Sequence, residues 1–142
     1  MYLPDINVWL ALTFEVHSHH SSAKFWFDSI DEESIAFCRL TQLGFLRLAT
    51  NPAVFAEEAL TLPDAWGCFD RFFEDSRIEF TLEPLGLEHF FRRFTSDSSY
   101  SPKLWNDAYL AAFSVTGNDL LVSFDRAFRR YKPLDCLILA GT

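Results

Sequence analysis

Positive charge is scarce in this chain of 142 residues: 12 Lys and Arg stand against 20 Asp and Glu, a formal net charge of −8. That balance argues against a generic nucleic-acid binder, which is normally basic. Long apolar runs are missing as well. No stretch reaches the roughly 18 apolar residues of a membrane span, so none is expected. The opening MYLPDINVWL has no basic segment ahead of an apolar one, so a secretory leader is not expected and the cytoplasm is the expected compartment. Cysteines are few: Cys38, Cys68 and Cys136 lie far apart, with no CxxC pair. This argues against a disulfide framework or a zinc site and for reduced core thiols. Repeats, low-complexity tracts and linkers are absent, and the length suits one domain, residues 1–142, around one core.

What the chain does have is apolar content, 49% of its residues, arranged in short runs between helical patterns. YLPDI resembles a first strand, although Pro4 removes one ladder hydrogen bond. Asn7 is placed to cap the helix VWLALTF. A second helix falls near SSAKFWFDSI, and SIAFC (34–38) reads as a second strand. Residues 41–50 are helical in pattern and stop at Asn51-Pro52. TLPDAWGCFDRFFED is helical, IEFTL (78–82) is a third strand, and LEHFFRRFTS is helical. Ser101-Pro102 looks like an N-cap and first-turn pair for the helix carrying Asp107. LLVSF (120–124) is a fourth strand and CLILA (136–140) a possible fifth. Short apolar strands alternating with helices predict an α/β fold, a parallel sheet covered on both faces.

Ligands of such sheets bind beyond the carboxyl ends of the strands. Asp5 ends the first strand, Asp125 follows the fourth, Gln42 opens the helix after the second, and Asp107 is one turn into the helix leading to the fourth. All four are therefore expected at one edge. Converging carboxylates repel one another and need a compensating cation. Oxygen ligands suit Mg²⁺ or Mn²⁺. Such ions bind phosphate oxygens, acidify bound water and stabilise leaving oxygens, and a pair about 3.5–4 Å apart can clamp an in-line phosphodiester displacement.

The segments DINVWLAL, HSHHSSAKFWF, TQLGFLRLATNPAV, SPKLWNDAYLAAF and LVSFDRAF follow, in order and spacing, the pattern of PIN-domain proteins of the VapC toxin type, which the whole chain resembles. LWNDAYLAA and SFD are the most specific pieces, and TQLGFLRLATNP points to one branch of the toxins. The resemblance implies a PIN-like three-layer α/β/α domain with a central parallel sheet of 4–5 strands in order 3-2-1-4-5. It implies an Mg²⁺- or Mn²⁺-dependent endoribonuclease leaving 5′-phosphate and 3′-hydroxyl ends. It also implies a cognate VapB-type antitoxin and a homodimer. Asp5, Asp107 and Asp125 match the family's metal-binding, catalytic acids. Many PIN domains carry Glu where this chain has Gln42, though the TQLGFLRL-like branch often has Gln; Glu57 or Glu58 is a remote source of compensating charge.

Other residues have plainer alternatives. Asn7 is a helix cap or supports Asp5. Ser123 is a strand serine or a hydrogen-bond donor to a carboxylate. Asn106 is expected to point away from the face of its neighbour Asp107. His17, His19 and His20 are too close together for the usual structural zinc pairs, and local packing or capping is the expected role. Arg47, five residues after Gln42, and Arg126, Arg129 and Arg130, directly after Asp125, are candidates for RNA phosphate contacts. The 16 Phe exceed what a small core readily hides, which predicts an exposed apolar surface for a second copy or an antitoxin helix. Two functions compete with the nuclease. One is a catalytically weak module that acts through antitoxin or RNA binding, if Gln42 weakens cation binding. The other is a haloacid-dehalogenase-like phosphatase or phospho-receiver: the first needs a second Asp where Asn7 stands, and both normally use a lysine near the acids, where Lys103 lies near Asp107 but no lysine follows the fourth strand in the right context.

Overall fold

The computed structural model of the chain describes residues 1–97 and 100–141. In chain order the elements are β1 (Tyr2–Pro4), α1 (Ile6–Thr13), α2 (His20–Asp28), β2 (Ile35–Phe37), α3 (Arg39–Ala49), α4 (Pro52–Phe55), α5 (Leu62–Phe72), β3 (Ile78–Phe80), α6 (Leu87–Phe94), α7 (Leu104–Gly117), β4 (Leu120–Ser123) and β5 (Cys136–Ile138), with 3₁₀ turns at Ala56–Glu58 and Arg126–Arg130. The five strands form one sheet in order β3-β2-β1-β4-β5, and every pairing is parallel. This is the predicted order.

Successive strand residues face opposite sides, as the two-residue strand period requires. Leu3, Ala36 and Leu121 pack with Ala108, Ala111 and Phe113 of α7 and with Leu87 of α6. Ile35, Phe37 and Val122 pack on the other side with Val8 and Trp9 of α1, Phe45 of α3 and Phe69 of α5. Helices therefore cover both faces, giving three layers. Pro4 is the last residue of β1 and has no N–H to give a neighbouring strand. Tyr2 donates to Ser34 of the β2 side (2.9 Å), so Pro4, two residues on, would face that same side. Accordingly β1 registers with β2 at one position, Tyr2 with Ile35, but with β4 at three.

Local chemistry sets the helix starts. Asp5, not Asn7, caps α1: its Oδ1 accepts from the Val8 N–H at 3.2 Å. Asn7 is already inside the helix, and Asp5 has the extended backbone a cap needs. The third helix begins at Arg39, two residues before the predicted start, because Cys38 N–H donates to Thr41 Oγ1 (3.0 Å) and closes a capping box. Asn51 accepts from Ala53 N–H (2.9 Å) and Thr61 from Asp64 N–H (3.2 Å), each with a proline in the first helical positions. The helix carrying Asp107 starts later than Ser101-Pro102 predicts: Lys103 is its cap residue, and Ser101 closes the preceding turn through Leu104 N–H (3.0 Å). Asn118, in the left-handed region at φ 56°, stops α7 and turns the chain into β4.

The aromatic surplus goes mainly inward. Trp9 stacks on Phe37 with ring centroids 3.8 Å apart, and Phe45, Phe69 and Phe72 contact Phe37 edge-on. Among the described residues only Phe25 and Phe73 are exposed phenylalanines. A two-sided sheet offers two cores to fill and takes most of the phenylalanines, while Leu62, Trp66, Leu82, Leu85 and Trp105 stay exposed. Cys38, Cys68 and Cys136 are free thiols, Cys38 buried. His17 Nδ1 accepts from the His19 N–H (3.0 Å), His20 Nδ1 pairs with the Ala11 carbonyl (2.7 Å), and His19 stacks on Phe124 at 4.3 Å. The histidines serve the junction between α1 and α2. No helix among the described residues is long and apolar enough to cross a membrane.

Candidate active site

The sheet's carboxyl edge opens into a cleft of about 310 Å³ that Asp5, Asp107 and Asp125 all line. Asp5 leaves β1 and hydrogen-bonds its backbone N–H to the Val122 carbonyl of β4 (2.9 Å), so the two strand ends are locked side by side. Ser123, the last residue of β4 and fully buried, donates its hydroxyl to Asp5 Oδ2. The same Ser123 Oγ accepts from the Asp125 N–H at 2.9 Å. One serine therefore positions the carboxylate of one strand end and the backbone of the other. Asp125 in turn caps the 3₁₀ turn Arg126–Arg130 by accepting from Ala127 N–H (2.9 Å). Asp107 stands in the first turn of α7, where the positive end of the helix dipole faces it.

The electrostatics are those of acids held against their preference. Burial raises the Asp5 pKa from 3.8 to about 6, against the lowering effect of its Ser123 and Val8 hydrogen bonds, and Asp107 adds like-charge repulsion. Burial also raises Asp107, and the neighbouring Asp125 charge raises it further, while Lys103 and Arg130 pull it down. Among the described residues, no Lys or Arg forms an ion pair with any of the three acids. Nor do three or more His, Cys, Asp or Glu close on a common point as a ready-made metal cage. The donor set still fits a hard divalent cation. It is all oxygen and mutually repulsive, and two of its members, Asp5 and Asp125, are already oriented by hydrogen bonds of their own.

The remaining candidates divide. Asn7 and Arg47 line the cleft, Asn7 from the first turn of α1. Gln42 does not: it is buried in the first turn of α3, and its amide Oε1 accepts from the Arg39 guanidinium, which also lies over the Phe80 ring at 4.9 Å. The expected convergence of four polar groups is therefore one of three acids, because an (i, i+3) partner on its own helix takes the Gln42 oxygen. Glu57 and Glu58 are exposed and outside the cleft. Arg126, Arg129 and Arg130 are exposed on the turn beyond Asp125 and do not line it. Two further polar residues, Lys103 and Asn106, line the cleft without being among the expected site residues. Lys103, four before Asp107, had an audible signal in its (i, i+4) spacing. Asn106 lines the cleft despite adjoining Asp107, because a helix presented by its first turn offers several directions at once.

A parallel α/β sheet with an acid-lined cleft beyond its switch point defines the class of protein, and comparison with known sequences defines it further. The PIN domain family model matches residues 2–134. The chain is 42% identical to Ribonuclease VapC41 of Mycobacterium tuberculosis, over 99% of both chains. Among solved structures it resembles VapBC2 from Rickettsia felis bound to a DNA fragment from its promoter (13% identity, TM-score 0.69, 98% of both chains). It also resembles M. tuberculosis VapC20, a Sarcin-Ricin loop cleaving toxin (14% identity, TM-score 0.69, 93% of this chain and 95% of that one). The chain belongs to the PIN-domain family, on its VapC ribonuclease branch.

Proposed function

We propose that this protein is the toxin of a type II toxin–antitoxin pair, an endoribonuclease that uses Mg²⁺ or Mn²⁺ held by Asp5, Asp107 and Asp125. The single observation that carries this reading is the trio of carboxylates lining one cleft, with no basic side chain among the described residues paired to any of them. A divalent cation held by these three acids would supply Lewis-acid chemistry, acidifying a bound water and offsetting phosphate charge. The chain's own residues do the rest. Ser123 and the Val8 N–H hold the two oxygens of Asp5 in fixed directions. Lys103 and Arg47 place positive charge at the cleft, where it draws in an RNA phosphate, and Lys103 partly offsets the upward shift of Asp107.

The 142 residues are read as one PIN domain acting in the cytoplasm as a homodimer, restrained by a VapB-type antitoxin. VapBC2, a complex of similar fold, supports that partner. The alternative of a catalytically weak module rested on Gln42, whose amide oxygen is committed to Arg39 outside the cleft, so its neutrality leaves the three acids as they are. The test is a digest of total RNA with product ends mapped. Mn²⁺ or Mg²⁺ is expected to give discrete 5′-phosphate fragments and EDTA none; equal cleavage in excess EDTA rules the reading out.

The exposed turn after Asp125 gives a second expectation. Replacing Arg126, Arg129 and Arg130 together by Ala removes three cations beside the acid cleft. For single-stranded RNA each lost phosphate contact flattens the salt dependence of log K by about 0.7. A slope reduced by about 2 is expected in fluorescence titrations, and an unchanged slope removes the turn from the RNA path.

A further inference from the structure

A second cleft of about 320 Å³ lies around the start of α7 from the first. Its charged lining is Arg93 from the end of α6, Arg130 and Lys132 from the segment after β4, and Asp97. Three cations and one acid make it locally positive in a chain whose net charge is −8. Its floor is apolar, formed by Phe94 and Tyr131, whose rings meet at 5.1 Å. Arg130 is held in place: its Nη2 donates to the Tyr131 hydroxyl at 2.6 Å, and its guanidinium lies over that ring at 4.7 Å. A fixed guanidinium forfeits less entropy on gripping a phosphate than a free one.

The two clefts are electrically and structurally joined. Leu104 lines the second, and its neighbour Lys103 lines the first. Asp107 of the acid cleft and Arg130 of the basic one act on each other's charge. An RNA strand whose scissile phosphate sits at the acids must continue somewhere, and this is a positive surface directly beside them. We infer that the cleft of Arg93, Arg130 and Lys132 over Phe94 and Tyr131 is a nucleotide subsite, gripping the phosphodiester of single-stranded RNA flanking the cut. The apolar floor takes the adjoining sugar or base edge. The inference rests on the ribonuclease reading for its ligand.

Arg93 and Lys132 are exposed, so Arg93→Ala/Lys132→Ala removes charge without opening the core; an unchanged melting temperature checks this. A fluorescein-labelled single-stranded 12-mer RNA, titrated in EDTA at several salt concentrations, is the probe. The double variant is expected to bind about tenfold more weakly, with the salt slope flattened by about 1.4 from two lost contacts. Unchanged affinity and slope overturn the subsite. So does equal competition by polyglutamate of the same charge, which marks an acidic protein partner, or full competition by millimolar inorganic phosphate, which marks a free-anion site. A parallel digest with Mn²⁺ separates the two ideas. Binding that is lost in the double variant without any cleavage by the native protein keeps the subsite and removes the nuclease. Cleavage with variant-independent binding does the reverse.

Discussion

Asp107→Asn is expected to lower kcat/KM for RNA cleavage on the order of 10³-fold, which is about 4 kcal/mol of transition-state stabilisation. The side chain keeps its size and its place in the first turn of α7, so the change is one of charge. That charge matters more than an average carboxylate's, because Asp107 stands between the other two electrostatically. It appears among the causes that raise Asp5, and Asp125 raises it in turn. Removing it weakens cation affinity at the centre of the trio. The same substitution removes a carboxylate that burial and Asp125 disfavour, so the variant is expected to melt no lower than the native protein in EDTA. The pairing of lost activity with retained stability is the informative result. A variant that cleaves at the native rate in Mn²⁺ would place the activity elsewhere, and one that unfolds would make Asp107 structural.

Much of this arrangement is legible in the sequence, and the exceptions have physical reasons. The sheet order follows from short apolar strands separated by helical patterns together with the family resemblance, and the strand residues Ile35, Phe37 and Val122 alternate with Ala36 and Leu121 as a two-faced sheet requires. The edge carrying Asp5 and Asp125 follows from the switch-point rule, since both stand just past strand ends. Helix starts were less legible. Asp5 and Asn7 are both good caps two residues apart, and nothing local chooses between them; the choice falls to Asp5 because β1 ends at Pro4 and the chain enters the helix at once. Gln42 is a different case. It stands in the first turn of the helix after β2, with its oxygen accepting from Arg39, a competition that residue type alone does not reveal. Ser123 shows the opposite case. Of the two readings its position allows, strand serine or donor to a carboxylate, it takes the second: its hydroxyl spans the gap between Asp5 and the backbone of Asp125, 118 residues from its carboxylate partner.

Asp5→Asn is expected to make the metal-free protein more stable at neutral pH while abolishing cleavage. The Asp5 pKa rises from 3.8 to about 6 on folding, so the folded state holds the proton more tightly than the unfolded chain does. The stability contributed by that protonation is fully present below about pH 4 and is lost as pH rises through about 6. At pH 8 the ionised, buried carboxylate therefore costs up to about 3 kcal/mol, at about 1.36 kcal/mol per pH unit. Asparagine carries no such charge. It keeps an oxygen for the Val8 N–H, but its amide suits the Ser123 hydroxyl less well, a loss of about 1 kcal/mol. The net gain expected in urea melts at pH 8 in EDTA is therefore about 2 kcal/mol, vanishing or reversing near pH 4. Mn²⁺ is expected to close the gap from the other side, stabilising the native protein, where the carboxylate repulsion is relieved, and leaving the variant nearly unmoved. A variant destabilised equally at pH 4 and pH 8 would mean that Asp5 serves only as the cap of α1. A native protein indifferent to Mn²⁺ would mean that its charge is not held in readiness for a cation.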